Sequence, residues 1–118
     1  IDGQKRYLGG MIYPGLGVSL DSLTSHASQL GGISLEAPPE RVIGRNTIDC
    51  MKSGVIYSAA AAMDGIIDRI EEELGEKVTV VATGGLARRI VPHCRREIIL
   101  DDDLLLKGLQ ILYEKNKR

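Results

Sequence analysis

The 118-residue sequence contains no Trp and no Phe, and its only aromatic residues are four Tyr. That scarcity excludes a platform on which nucleic-acid bases stack. A surplus of positive charge is missing as well. Fifteen Lys and Arg stand against sixteen Asp and Glu, a formal charge of −1, whereas a nucleic-acid surface wants a basic excess. No nucleic-acid partner is expected. Cysteine is limited to Cys50 and Cys94, which have neither metal-ligand spacing nor a disulfide framework. Both read as small core or boundary residues. No apolar run is long enough for a secretory or transmembrane segment, so the expectation is a cytoplasmic protein without a membrane partner. The chain also lacks an initiator Met and starts inside what reads as a hairpin, which suggests a fragment.

What is present describes one soluble domain. Hydrophobic residues make up 43% and charged residues 26%, an ordinary globular balance with enough material for a core. Asp2-Gly3-Gln4 resembles a tight turn, with strands at Arg6–Leu8 and Met11–Tyr13. Leu16, Leu20, Leu23, Ala27 and Leu30 recur at helical spacing, and Gly31-Gly32 follows as a cap. Ile33–Leu35 reads as extended, and Ala37-Pro38-Pro39 as a rigid connector. The longest predicted helix runs from Thr47 to Leu74 with two apolar stripes. One holds Ile48, Met51, Val55, Ala59, Ala62, Ile66 and Ile70; the other holds Ile56, Ala60, Met63, Ile67 and Leu74. Two stripes imply burial on two sides, and Gly54, Ser58 and Ala59–Ala62 would let another backbone approach closely. A strand at Val78–Val81, a helix at Leu86–Val91, a stop at Pro92-His93-Cys94, a strand at Glu97–Leu100 and a last helix after Asp101–Asp103 complete an α/β pattern. The expected sheet is mixed and flanked by helices.

Two places can carry chemistry. Thr83-Gly84-Gly85 lies between a β-branched strand and a helix, where glycines let a ligand approach the backbone. An ordinary strand-to-helix turn would use the same residues. Asn46-Thr47 opens the long helix, with Asn46 suited to the N-cap and Asp49 to the dipole. Thr47 either caps or presents its hydroxyl to a substrate. Asp101–Asp103 reads as a helix cap rather than a metal site, since no further ligand lies at useful spacing. His26 and His93 read as surface residues without a catalytic partner.

Four segments in register carry a resemblance. They are Tyr7-Leu8-Gly9-Gly10-Met11-Ile12-Tyr13-Pro14-Gly15-Leu16-Gly17, then Val42-Ile43-Gly44-Arg45-Asn46-Thr47 running on to Tyr57, then Val81–Ala87, then Asp103–Asn116. In this order and spacing the chain resembles the C-terminal half of type III pantothenate kinases. The resemblance implies an RNase H-like α/β domain of the acetate and sugar kinase/Hsp70/actin fold. It implies transfer of the ATP γ-phosphate to pantothenate, the first step of coenzyme A synthesis, with Mg²⁺ and a monovalent cation (K⁺ or NH₄⁺). It further implies a homodimer through the helix Thr47 to Leu74.

On the family pattern Thr47 contacts pantothenate across the dimer interface, although Arg45 stands where a Gly-Lys-Asn-Thr element has Lys. Gly9 and Gly10, with Thr83, Gly84 and Gly85, match glycine elements around the nucleotide cleft. Leu30-Gly31-Gly32 departs from the family's frequent Leu-Pro. The family's Asp-x-Gly-Asn-Thr phosphate loop, its catalytic aspartate and the strand supplying its cation-binding aspartate have no counterpart in the chain. Asp2 belongs to a turn and does not replace them. No catalytic residue or metal ligand is therefore assigned here, and residues 1–118 alone are expected to be inactive. A non-catalytic transcriptional accessory protein related to these kinases, and a self-standing dimerisation module, remain the alternatives.

Overall fold

The computed structural model describes residues 1–26, 37 and 39–118. In chain order it contains α1 (Leu16–His26), α2 (Thr47–Leu74), β1 (Val81–Ala82), α3 (Ala87–Ile90), a 3-10 turn (Val91–His93), β2 (Ile99–Leu100) and α4 (Leu104–Asn116). The expected continuation of the first helix to Leu30, its Gly31-Gly32 cap and the extended Ile33–Leu35 lie outside the described residues.

The 28-residue α2 has the bounds that its sequence predicts, because both of its ends are encoded locally. Asn46 is extended, and its Oδ1 accepts the Asp49 N–H at 2.9 Å. The Asp49 carboxylate in turn accepts from Asn46 Nδ2 at 2.8 Å. This reciprocal pair satisfies N-terminal donors that the helix itself cannot. At the other end Gly75 takes the left-handed conformation, φ 70°, and its N–H bonds the Glu71 carbonyl. A residue with a side chain would be strained there.

Within one chain, the fully buried apolar residues of α2 fall mainly on the second stripe. Ile56, Ala60 and Ile67 of the second stripe are buried, but of the first stripe only Val55 is. Ile48 and Ile70 remain exposed. Leu16 of α1 joins Val55 and Ile56 in the core, and Leu20, Ala59 and Ile90 pack around them. Ser53, also buried, donates its hydroxyl to the Val42 carbonyl and ties the preceding loop to the helix.

The C-terminal half of α2 is held by charge. Asp64 accepts the backbone N–H groups of Arg95 and Arg96 at 2.9–3.1 Å. Arg96 reaches back to Asp68, and its Nη2 lies 2.7 Å from Glu71 Oε1. The largely buried Glu71 also accepts from Val78 N–H and Lys77 Nζ, both at 3.2 Å. Arg96 first, then the Val78 N–H, hold the Glu71 carboxyl down at about 2.

The strands are shorter than expected, and the sheet is parallel rather than mixed. Among the described residues it has two strands, with Val81 opposite Ile99 and Ala82 opposite Leu100. Val78 and Thr79 fall outside the ladder because the Val78 N–H is committed to Glu71. The ladder reaches only from the Val80 carbonyl to the Asp101 N–H. The predicted strands at Arg6–Leu8 and Met11–Tyr13 do not form. The turn before them does: Asp2 Oδ1 accepts the N–H groups of Gln4 and Arg6, and Lys5 sits at φ 65°. The residues that follow have no assigned secondary structure and no partner strand among the described elements.

Smaller corrections concern single residues. The Leu86–Val91 helix is one turn of α3 running into the 3-10 turn that contains Pro92. His93 is half-buried against the Tyr57 ring, edge to face with centroids 5.1 Å apart. Cys50 is exposed, while Cys94 is half-buried beside Ala60. The core is also smaller than the composition suggests. The buried hydrophobic residues among those described are Leu16, Val55, Ile56, Ala60, Ile67 and Ala82. The radius of gyration is 17.5 Å, against about 13 Å for a compact domain of similar length.

Candidate functional site

The start of α2 is shaped by one glycine. A Cβ built on Gly44 would lie 2.5 Å from the Cys50 backbone nitrogen and 2.8 Å from Asp49 C and Cys50 Cα. Only a residue without a side chain lets the incoming loop press against the first helical turn. That contact fixes Arg45, Asn46 and Thr47 relative to the helix axis.

Two surfaces result. On one flank an open cleft of about 550 Å³ is lined by Arg41, Gly44, Arg45, Asp49 and Lys52, among others. Thr47 is exposed but does not line this cleft. Five residues separate Thr47 from Lys52, which places their side chains about 140° apart around the helix. Thr47 belongs instead to the opposite face, in line with Gly54, Ser58, Ala61 and Gly65 at spacings of seven, four, three and four. Gly54, Ser58 and Ala61 are exposed, and a Cβ on Gly54 or Gly65 would meet nothing within 4 Å. Thr47 thus tops a shallow seam of small residues that a second backbone could approach.

The second region is the corner after β1. Gly84 has φ 103°, and its carbonyl accepts the Ala87 N–H at 3.2 Å, closing the turn into α3. Thr83, Gly84 and Gly85 are exposed, and a Cβ on Gly84 or Gly85 would touch nothing within 4 Å. The corner is open, as a ligand would require. However, α3 is only four residues long, too short for the helix-dipole contribution that the sequence suggested. What remains is backbone accessible at the carboxyl end of a parallel strand, where α/β sheets usually bind ligands.

Gly9 and Gly10 are not brought to that corner by any described contact. Both are exposed, Gly9 at φ 136°, and a Cβ on Gly10 would meet the Tyr7 hydroxyl at 3.1 Å. Further along the chain, a Cβ on Gly17 would lie 3.9 Å from Leu86 Cδ1.

The loop after β2 opens at the same edge of the sheet. Asp101 accepts from Lys107 Nζ at 2.7 Å and from the Asp103 N–H at 3.0 Å, so Lys107 holds its carboxyl below the usual range. Asp102 pairs with Arg88 at 3.3 Å. These acids are occupied by neighbours. Among the described residues no three His, Cys, Asp or Glu converge as a metal site.

Neither the cleft beside Lys52 nor the Glu71–Arg96 clamp is among the features expected from the sequence. The available signals were the basic residues at 41, 45 and 52, and the acids at 64, 68 and 71, which fall on one helical face.

A family model described as type III pantothenate kinase matches residues 1–69, more than half of the chain. Among curated relatives, the type III pantothenate kinase of an Exiguobacterium species (strain AT1b) is 46% identical across all of this chain and 46% of its own length. That of Rubrobacter xylanophilus is 47% identical over 98% of the chain and 46% of its own length. That of Moorella thermoacetica is 44% identical over 98% and 45%. The chain therefore spans about half the length of the curated relatives it matches. On the strength of the family match and of relatives that align along the whole of it, the chain belongs to the type III pantothenate kinase family.

Proposed function

We propose that residues 1–118 form the C-terminal half of an ATP-dependent pantothenate kinase of the type III family. The whole protein would pass the ATP γ-phosphate to the terminal hydroxyl of pantothenate in the cytoplasm, opening coenzyme A synthesis. The observation that carries this is similarity at 44–47% identity along essentially the whole chain to proteins bearing that name. The paired parallel strands with flanking helices are consistent with one RNase H-like domain of the acetate and sugar kinase/Hsp70/actin fold.

In this proposal the chain supplies surfaces rather than the reacting acid. Phosphoryl transfer depends on positioning and on charge stabilisation around the γ-phosphate, and a carboxylate outside residues 1–118 would activate the attacking hydroxyl. The open Thr83-Gly84-Gly85 corner forms one wall of the nucleotide cleft, with Gly9 and Gly10 contributing from the segment before α1. Mg²⁺ and K⁺ or NH₄⁺ would neutralise phosphate charge; among the described residues no three His, Cys, Asp or Glu converge that would hold them. Thr47 and the seam below it serve the homodimer. A second copy of α2 lying along Gly54, Ser58 and Ala61 brings its own protomer beside Thr47, so the Thr47 hydroxyl reaches pantothenate bound in the partner.

The test is steady-state kinetics of the full-length protein carrying Thr47→Val. Loss of one hydrogen bond raises the pantothenate KM about tenfold and leaves the ATP KM unchanged. Unaltered kinetics for both substrates would remove Thr47 from the site.

A further inference from the structure

The segment that delivers Thr47 is held by its backbone and not by its own apolar side chains. Val42 and Ile43 are 63% and 81% exposed, so neither anchors it. Hollows lie on its flanks. The cleft of about 550 Å³ beside Lys52 borders Ile43 and Arg45, and a second of about 400 Å³ is lined by Arg41, Val42, Ile43 and Arg45. Among the described residues, 41–45 make no hydrogen bond to another backbone group.

Three attachments to the start of α2 take the place of an apolar anchor. Ser53, only 4% exposed, donates its hydroxyl to the Val42 carbonyl. Gly44 lies against the Asp49 and Cys50 backbone, where a Cβ would have no room. Asn46 then accepts the Asp49 N–H. The partners fall at 53, then 49–50, then 49, so the segment passes along the first two turns of α2 towards its start. Ser53 makes the one attachment that uses a buried side chain. A helical serine commonly bonds a carbonyl one turn back, as Ser58 does with Val55, but Ser53 reaches outside the helix. A buried hydroxyl without its partner is costly, so this bond selects one placement of the loop over the hollows beside it. Thr47 stands at the first helical position, where helices fray. Asn46 keeps it helical from an extended conformation, φ −139° and ψ 166°, which depends on where the preceding segment is fixed.

We propose that Ser53 is a positioning residue for pantothenate: by holding the Val42 carbonyl it keeps Asn46 at the cap and Thr47 where its hydroxyl meets the substrate. The proposal rests on the reading of Thr47 as the pantothenate contact. It places a determinant of pantothenate affinity inside the domain, six residues from the side chain that touches the substrate.

Steady-state kinetics of the full-length protein test it through Ser53→Ala, Thr47→Val and the double variant. Ser53→Ala is expected to raise the pantothenate KM at least about threefold with the ATP KM unchanged. In the Thr47→Val background the same change should alter it by less than about twofold, because residues acting through one another do not add. Amide exchange at Asp49 and Cys50, whose N–H groups bond Asn46, should quicken about tenfold in Ser53→Ala as the cap loosens. Should that variant not fold, Ser53→Cys, of similar size with a poorer donor, must show the same pattern. If Thr47→Val raises the pantothenate KM and Ser53→Ala does not, the positioning role alone is overturned. Effects that add, KM values that rise together, or unaltered exchange at the two amides overturn it equally. A Thr47→Val variant with parental kinetics removes the substrate contact itself, and the proposal with it.

Discussion

Two glycines in this chain do opposite work, and substitution should separate them. Gly44 has no room: its missing Cβ is what lets the loop seat against the Asp49–Cys50 backbone. Gly44→Ala forces the helix start apart and should cost about 1–3 kcal/mol of stability, as overpacking does, measured by urea unfolding. A Cβ on Gly85 would meet nothing within 4 Å. Gly85→Ala should leave stability within about 0.5 kcal/mol of the parent, as surface substitutions do. If the corner faces the nucleotide, the same substitution raises the ATP KM of the full-length protein without changing that for pantothenate. An unchanged ATP KM would leave the glycine pair as a plain turn. Thr47 shows the limit of residue-level reading. Its place at the N-terminus of a helix was legible, but the flank it occupies depends on how Gly44 delivers the chain.

Among the elements, α2 is fastened by side chains that titrate. Glu71 has an ordinary value of 4.5 and is held at about 2 in the folded protein, chiefly by Arg96 and the Val78 N–H. A carboxyl with a depressed folded pKa contributes stability that is fully present above 4.5 and is lost as pH falls towards 2. Glu71→Gln keeps the size of the side chain and removes the charge. The variant should be less stable at neutral pH and should lose less stability than the parent between pH 4.5 and 2. Parallel stability curves across that interval would show that the Arg96 pairing contributes nothing.

Element boundaries were legible where the code is local and not where it is distant. Asn46 with Asp49, and Gly75, fix both ends of α2 within a few residues of chain. Strand length is not encoded locally, because a β-branched run becomes a ladder only where a neighbour pairs with it. Val78 is diverted to Glu71, and residues 6–13 have no partner strand among the described elements. Likewise periodicity marks the apolar stripes of α2 but cannot say which of them another element will cover. The clamp of Asp64, Asp68 and Glu71 on Arg95 and Arg96 joins positions roughly thirty apart in sequence, beyond the reach of any local pattern.

At the scale of the whole molecule, the exposed side chains differ in size from one helix to another. Leu and Tyr side chains crowd α4, whereas the outward face of α2 carries Gly54, Ser58 and Ala61 below Thr47. Small side chains contribute little burial energy by themselves, so their benefit lies in letting two helix axes come close enough for the flanking side chains to interlock. A long charged side chain at the centre of that seam should therefore be tolerated by the protomer and rejected by the pair. Ala61→Arg in the full-length protein is predicted to keep the parent's helical content and to sediment as a monomer. Because Thr47 then has no partner site to enter, pantothenate turnover should fall with the dimer fraction and recover as protein concentration drives reassociation. A variant that stays dimeric and fully active would place the subunit contact elsewhere, and Thr47 would have to act within its own protomer.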